Sequence, residues 1–152
     1  HSNRIGKLRE SSVSQVPFED ASFDGIIEAC VFQHLGKKDR GKAFGEVRRL
    51  LKPGGLFVGY MLDVGHTVFQ QKQGEQLADD PGTLTLKDDR SKIYLTNLGV
   101  CHFFRKQEII DLLKEFSTVD PCLTSYYLPG EEAKKRGYSD YLQSMWTVYA
   151  VK

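Results

Sequence analysis

Glu28 lies near the end of a short apolar run, Gly25-Ile26-Ile27-Glu28-Ala29-Cys30, and His34 follows it in the segment Phe32-Gln33-His34-Leu35. A carboxylate near the end of a buried strand lies where open α/β sheets gather ligands, and its chemistry there is to accept an amine or another cationic group. The structural alternative is a strand-end carboxylate that reaches water. An imidazole just past the same strand has the range to act as a base, or else packs and satisfies a backbone group. His102 stands beside Phe103 and Phe104, where a pocket role and a packing role compete in the same way. Tyr94, Tyr126, Tyr127 and Trp146 suit a pocket wall and a core equally well. Cys30, Cys101 and Cys122 show neither the paired spacing of a zinc site nor the even count of a disulfide framework. No metal is expected, and a reducing, cytoplasmic setting is. No cysteine has a flanking charge pattern that lowers a thiol's pKa, and Cys30 reads as a buried structural residue.

The elements that position these groups follow from hydrophobic period. Gly25 to Cys30 is of buried-strand type. Ala43, Phe44, Val47, Leu50 and Leu51 then make one helical stripe, with Lys42, Glu46, Arg48, Arg49 and Lys52 on the other side. Pro53-Gly54-Gly55 stops that helix, and Leu56 to Leu62 reads as a second buried strand. Strand, helix of about four turns and strand make a βαβ unit, hence a parallel pair with a right-handed crossover. The stretch from Asp63 to Asp89 is polar and weakly periodic, and one short helix is expected around Phe69 to Leu77. Ile93 to Thr96 and Val100 to Phe104 read as two short strands joined by a tight turn. Ile109, Leu112, Leu113 and Phe116 mark a further helix without an obvious cap. Val119 to Leu128 and Met145 to Val151 alternate as an antiparallel closing pair, and Glu131 to Arg136 reads as a solvated helical turn.

The fold class is therefore α/β. At 152 residues and 40% apolar composition the chain has the size of one domain with one core. Its 21 basic and 20 acidic residues are evenly spread, so neither nucleic acid nor an anionic membrane is an expected partner. No apolar run approaches the roughly 18 residues that span a bilayer.

Val16-Pro17-Phe18-Glu19-Asp20, Ser22-Phe23-Asp24, the first strand, Phe32-Gln33-His34-Leu35 and Val47-Arg48-Arg49-Leu50-Leu51-Lys52-Pro53-Gly54-Gly55 occur in that order. The series resembles the middle of class I S-adenosylmethionine-dependent methyltransferases of the small-molecule type. Gly99-Val100-Cys101-His102-Phe103-Phe104 before an amphipathic helix extends the likeness. The resemblance implies a partial Rossmann-like sheet, matching the family's strands three or four to seven in the order 3-2-1-4-5-7-6. It implies S-adenosylmethionine as cofactor. The family's adenine contacts after strand three fall on Ser12 and Val13, where Ser12 replaces the usual carboxylate and is a weaker acceptor. The strand-four contacts fall on Glu28, Ala29 and Val31, with Glu28 placed to accept the cofactor's ammonium group. His34, Tyr94, His102 and Phe103 are the implied substrate-pocket residues, and residues 63–104 the implied insertion or lid.

Methyl transfer from a sulfonium needs alignment more than acid or base help, because the leaving group departs neutral. No catalytic residue is assigned on that account, and Glu28 and His34 remain candidates. The family's glycine-rich turn and its ribose-binding acid have no match in this sequence. The expectation is a methyltransferase, or its C-terminal part, whose cofactor grip is incomplete and which is inactive alone. The alternative is a non-catalytic module that dimerises through an open sheet edge at Gly25 to Cys30, where a missing N-terminal segment would otherwise dock.

Overall fold

The computed structural model describes residues 9–86, 99–135 and 137–152. Strand β1 (Phe23–Ala29) leads through a 3-10 turn (Phe32–His34) into helix α1 (Lys37–Leu50), which returns the chain to β2 (Leu51–Leu62) parallel to β1. Lys52 precedes Pro53 and so is driven out of helical backbone; the helix ends at Leu50, and Leu51 is already extended. Asp39 near its start and Arg48 and Arg49 near its end complement the helix dipole.

Two antiparallel strands complete this sheet. β6 (Thr118–Tyr127) pairs with β7 (Leu142–Val151), and β7 pairs with β2, giving the order β1-β2-β7-β6. This is the order expected for the family's strands four to seven. No third-strand equivalent stands among the described residues, where Ser12 and Gln15 form only an isolated bridge.

One face of the sheet is covered. Ala43, Phe44, Val47 and Leu50 of α1 meet Phe57, Met61, Trp146, Val148 and Ala150, and Ile109, Leu113 and Phe116 close the core around α3 (Lys106–Leu112). Phe44 lies edge-on to Phe32, Phe57 and Phe104 at centroid distances of 5.1, 6.2 and 6.4 Å. A phenylalanine so enclosed is worth about 3–5 kcal/mol against alanine. Among the described residues nothing covers the opposite face over β1 and β2. Register sets Ile27 beside Val58 and Val58 beside Tyr149, and Ile27 is 80% exposed.

A second, smaller sheet packs at the carboxyl ends of β1 and β2. It comprises β3 (Glu75–Leu77), β4 (Asp80–Thr85) and β5 (Val100–His102), with α2 (Thr67–Gln70) and α4 (Gly130–Lys135) against its core. A bridge between Asp63 and Phe104 joins it to the main sheet.

Here expectation and structure part. The helix foreseen at Phe69 to Leu77 lies earlier and is a single turn, Thr67–Gln70, capped by His66 Nδ1 accepting from the Val68 amide at 3.2 Å. Residues 75–77 and 80–85 form a hairpin instead, because strand pairing needs only alternate positions filled and leaves little periodic signal over so few residues. Val100–His102 pairs with Thr83–Thr85; the partner strand expected at Ile93 to Thr96 lies outside the described residues, as does Tyr94. The helical turn expected at Glu131 to Arg136 is α4, Gly130–Lys135, with Ala133 as its buried member, and Arg136 lies outside the described residues.

Candidate functional site

Two walls form a groove along β1. One is β1 with the turn after it; the other is α1 with residues 13–16. The groove encloses about 510 Å³ including its mouth and is lined by Val13, Ile26, Glu28, Ala29, Val31 and Phe32, with Ala43, Glu46 and Val47 from the helix. Its surface is largely apolar, as a flat aromatic ligand requires. Val13, Glu28, Ala29 and Val31, four of the five residues placed by resemblance at the cofactor, meet here. Ser12 lines an adjoining depression with Gln15, Phe18, Glu46 and Arg49, and its hydroxyl is 2.8 Å from that of Ser14.

The far wall is fixed by an ion pair. Arg49 donates to both Glu46 carboxylate oxygens at 2.7 and 2.9 Å, to the carbonyls of Val16 and Phe18, and to Asp20. Glu46 in turn accepts from the Val16 amide at 2.8 Å, and the Arg49 hydrogen bonds hold its carboxyl below the usual range.

Glu28 does not reach water. It is 4% exposed; Oε1 accepts from the Val31 and Phe32 amides at 2.5 and 3.0 Å, and Oε2 from the Tyr60 amide at 3.2 Å. Burial pushes its pKa up even against those three donors.

His34 is half-buried with both ring nitrogens engaged: Nδ1 is 3.2 Å from the Val100 carbonyl and Nε2 3.2 Å from the Gln33 side-chain amide. The carbonyl accepts, so Nδ1 carries the proton and Nε2 accepts from Gln33. Gln33 Oε1 then accepts from the Leu62 amide at 3.1 Å. The ring is part of a hydrogen-bonded chain between the two sheets.

His102 and Phe103 are both fully enclosed. His102 belongs to a buried polar cluster in which Arg40 donates to both oxygens of Asp80 at 2.9 Å and Thr83 donates to Asp80 at 2.5 Å. His102 Nδ1 lies 2.8 Å from the Thr83 hydroxyl and Nε2 2.9 Å from Glu108. The Thr83 hydroxyl thus bridges Asp80 and the His102 ring, and Glu108 faces the other side of the imidazole. Burial opposes ionisation of Asp80, but Thr83 and Arg40 outweigh it and hold the carboxyl below its ordinary value.

Sequence reasoning missed Arg40 and Asp80. The signal for Arg40 is present: it stands three and four residues before Ala43 and Phe44, a charge on the apolar stripe, where an unpaired cation is not tolerated. Asp80 has no comparable mark.

A third buried group, His66, packs against Tyr141 and Phe103, and burial brings its pKa down to about 4. Nearby, the Tyr138 hydroxyl is enclosed with no hydrogen-bond partner among the described residues. Cys101 is pushed up to about 12 by burial, so no thiolate nucleophile is prepared there.

The methyltransferase-domain family model matches residues 1–59. Over 51 residues the chain is 47% identical to the dimethylglycine N-methyltransferase of Parasynechococcus marenigrum (strain WH8102), which is 34% of this chain and 18% of that protein. Over 91 residues it is 32% identical to a protein of Encephalitozoon cuniculi (strain GB-M1) named as a methyltransferase, covering 57% of this chain and 43% of that one. Among solved structures, an S-adenosylmethionine-dependent methyltransferase of Methanosarcina mazei superposes with a TM-score of 0.64 at 19% identity, over 92% of this chain and 64% of that one. The 1,6-didemethyltoxoflavin-N1-methyltransferase of Burkholderia thailandensis, solved with S-adenosylhomocysteine, gives a TM-score of 0.50 at 18% identity, over 92% and 48%. The chain thus spans less than half of these curated relatives and under two thirds of these solved chains. Its fold is that of the class I S-adenosylmethionine-dependent methyltransferases, and residues 1–59 are similar to the methyltransferase-domain family.

Proposed function

We propose that this chain forms the later part of an S-adenosylmethionine-dependent methyltransferase acting on a small molecule, with the cofactor grip completed by polypeptide that pairs with the free edge of β1. The observation that carries the reading is the convergence of Val13, Glu28, Ala29 and Val31 on one apolar groove. The groove fits the adenine end of the cofactor. For the ribose and the methionine end the described residues offer no free polar set, since Glu28 is committed to three backbone amides. Bound S-adenosylmethionine supplies a methyl group made electrophilic by its sulfonium. The chain's own residues give the ring an apolar seat and exclude water from it. A nitrogen acceptor is the first to test, given the N-methyltransferase matched over 51 residues. An even charge balance supports a small acceptor over nucleic acid.

Isothermal titration with S-adenosylhomocysteine tests the reading on this chain and on the full natural polypeptide that contains it. Micromolar binding to the longer protein, and none to this chain, is expected. Micromolar binding to this chain alone refutes the need for a completing segment. No binding to either refutes the cofactor reading.

A further inference from the structure

At the carboxyl end of β1 the backbone turns through Cys30, a non-glycine residue in left-handed conformation (φ 60°). Such a residue is held there only by what surrounds it. The turn presents the Val31 and Phe32 amides to one point, a concavity of the kind that binds anions. Glu28 Oε1 occupies that point from within the chain, and Oε2 reaches across to the Tyr60 amide on β2. The side chains carried by the same turn, Val31 and Phe32, line the groove with Glu28 itself and Ala29.

We propose that Glu28 is a positioning residue whose carboxylate sets the Cys30–Phe32 turn and so the wall of the groove, and that gain of a proton loosens this wall. The positioning stands on geometry alone; its effect on cofactor affinity rests on the reading proposed above. Protonation weakens Glu28 as an acceptor while the three amides stay in place. Burial without a counter-cation among the described residues supports the proton sensitivity, since the carboxyl is raised from its ordinary value. The titratable groups around it are the Cys30 thiol, itself raised by burial and by the Glu28 charge, and beyond it the Tyr60 phenol, raised by burial. Glu46 lines the same groove but is paired with Arg49.

The experiment is an amide NMR titration of this chain and of Glu28→Gln and Glu28→Ala. In the parent chain the Val31, Phe32 and Tyr60 amides should titrate together with one midpoint above the ordinary glutamate value. In Glu28→Gln that common titration should vanish while the Val31 and Phe32 amides keep slow exchange, because the remaining oxygen still accepts from both. In Glu28→Ala those two amides should exchange about tenfold faster or more. If Glu28→Ala fails to fold, the parent and the glutamine variant decide alone. Amides that do not titrate, or a glutamine variant that titrates like the parent, overturn the proposal. S-adenosylhomocysteine affinity of the full natural polypeptide, measured against pH, is the second readout. It should fall by about tenfold as pH drops through the same midpoint and stay flat in Glu28→Gln. Titrating amides without cofactor binding at any pH uphold the positioning role and sink the cofactor reading instead.

Discussion

Breaking the Arg40–Asp80 pair from one side should cost far more than removing both partners. Their side chains are 3% and 8% exposed, and the guanidinium donates to both carboxylate oxygens at 2.9 Å. At roughly 4 Å between charge centres and an effective dielectric near 20, the attraction is about 4 kcal/mol. Much of it offsets desolvation, so the pair as a whole is nearly neutral against an apolar replacement, while an orphaned partner costs about 3–5 kcal/mol. Arg40→Met leaves Asp80 with Thr83 and His102 and also removes the 3.1 Å bond to the Leu35 carbonyl. Asp80→Leu leaves the Arg40 charge, among the described residues, with Glu108 3.7 Å away and the Leu35 carbonyl. Urea unfolding at neutral pH should show each single variant losing about 3–5 kcal/mol and the double variant only about 1 kcal/mol, clearly less than either single, so that the coupling is about 3 kcal/mol or more. Additive losses within about 0.5 kcal/mol refute the reasoning. So do single losses below about 1 kcal/mol, which would mark the cluster as solvated.

His66 should make stability depend on pH. Its folded pKa is about 4 against 6.5, so between those values the unfolded chain binds a proton that the folded chain refuses. The contribution is whole above pH 6.5 and lost as pH falls toward 4, by up to about 3 kcal/mol. His66→Phe should flatten that part of a stability–pH profile; an unchanged slope tells against neutral burial. Tyr138→Phe removes a hydroxyl buried with no partner among the described residues, and should raise stability in urea by about 1 kcal/mol. A loss instead would reveal a hidden partner. Gly82→Ala places a Cβ 2.5 Å from His102 Cε1 and 2.9 Å from the Phe103 carbonyl, and should lower stability by about 1–3 kcal/mol, read as a drop in Tm.

The βαβ unit was legible because α1 repeats its apolar stripe over four turns and both strands are apolar runs, although β1, expected to be buried, is largely exposed with Glu28 alone buried. The closing pair was legible from its alternation, although β6 is largely exposed on both faces. The small sheet was not, since β3 and β5 have three residues each and β5 pairs with β4 across residues 86–99. The groove residues could be placed only through resemblance, because nothing local distinguishes Val13 or Ala29. Glu28 was singled out by its place at a strand end, but its partners are backbone amides, which leave no pattern in side-chain types. The Arg40–Asp80 pair joins positions whose separation only the fold removes.

Helix α1 holds something at each end. Near its start, Arg40 grips Asp80, and Lys37 reaches the Asp79 carbonyl at 2.9 Å, so the small sheet hangs on its first turns. Near its finish, Glu46 and Arg49 hold residues 16–20, and the Arg49 carbonyl accepts from the Ala21 amide at 2.9 Å. A helix of 14 residues, about 20 Å long, is stiff at this scale. Displacing it along its axis moves both attachments by the same amount. The helix is therefore a strut, through which a load on the small sheet is felt at the groove's far wall without any change in the strands between them.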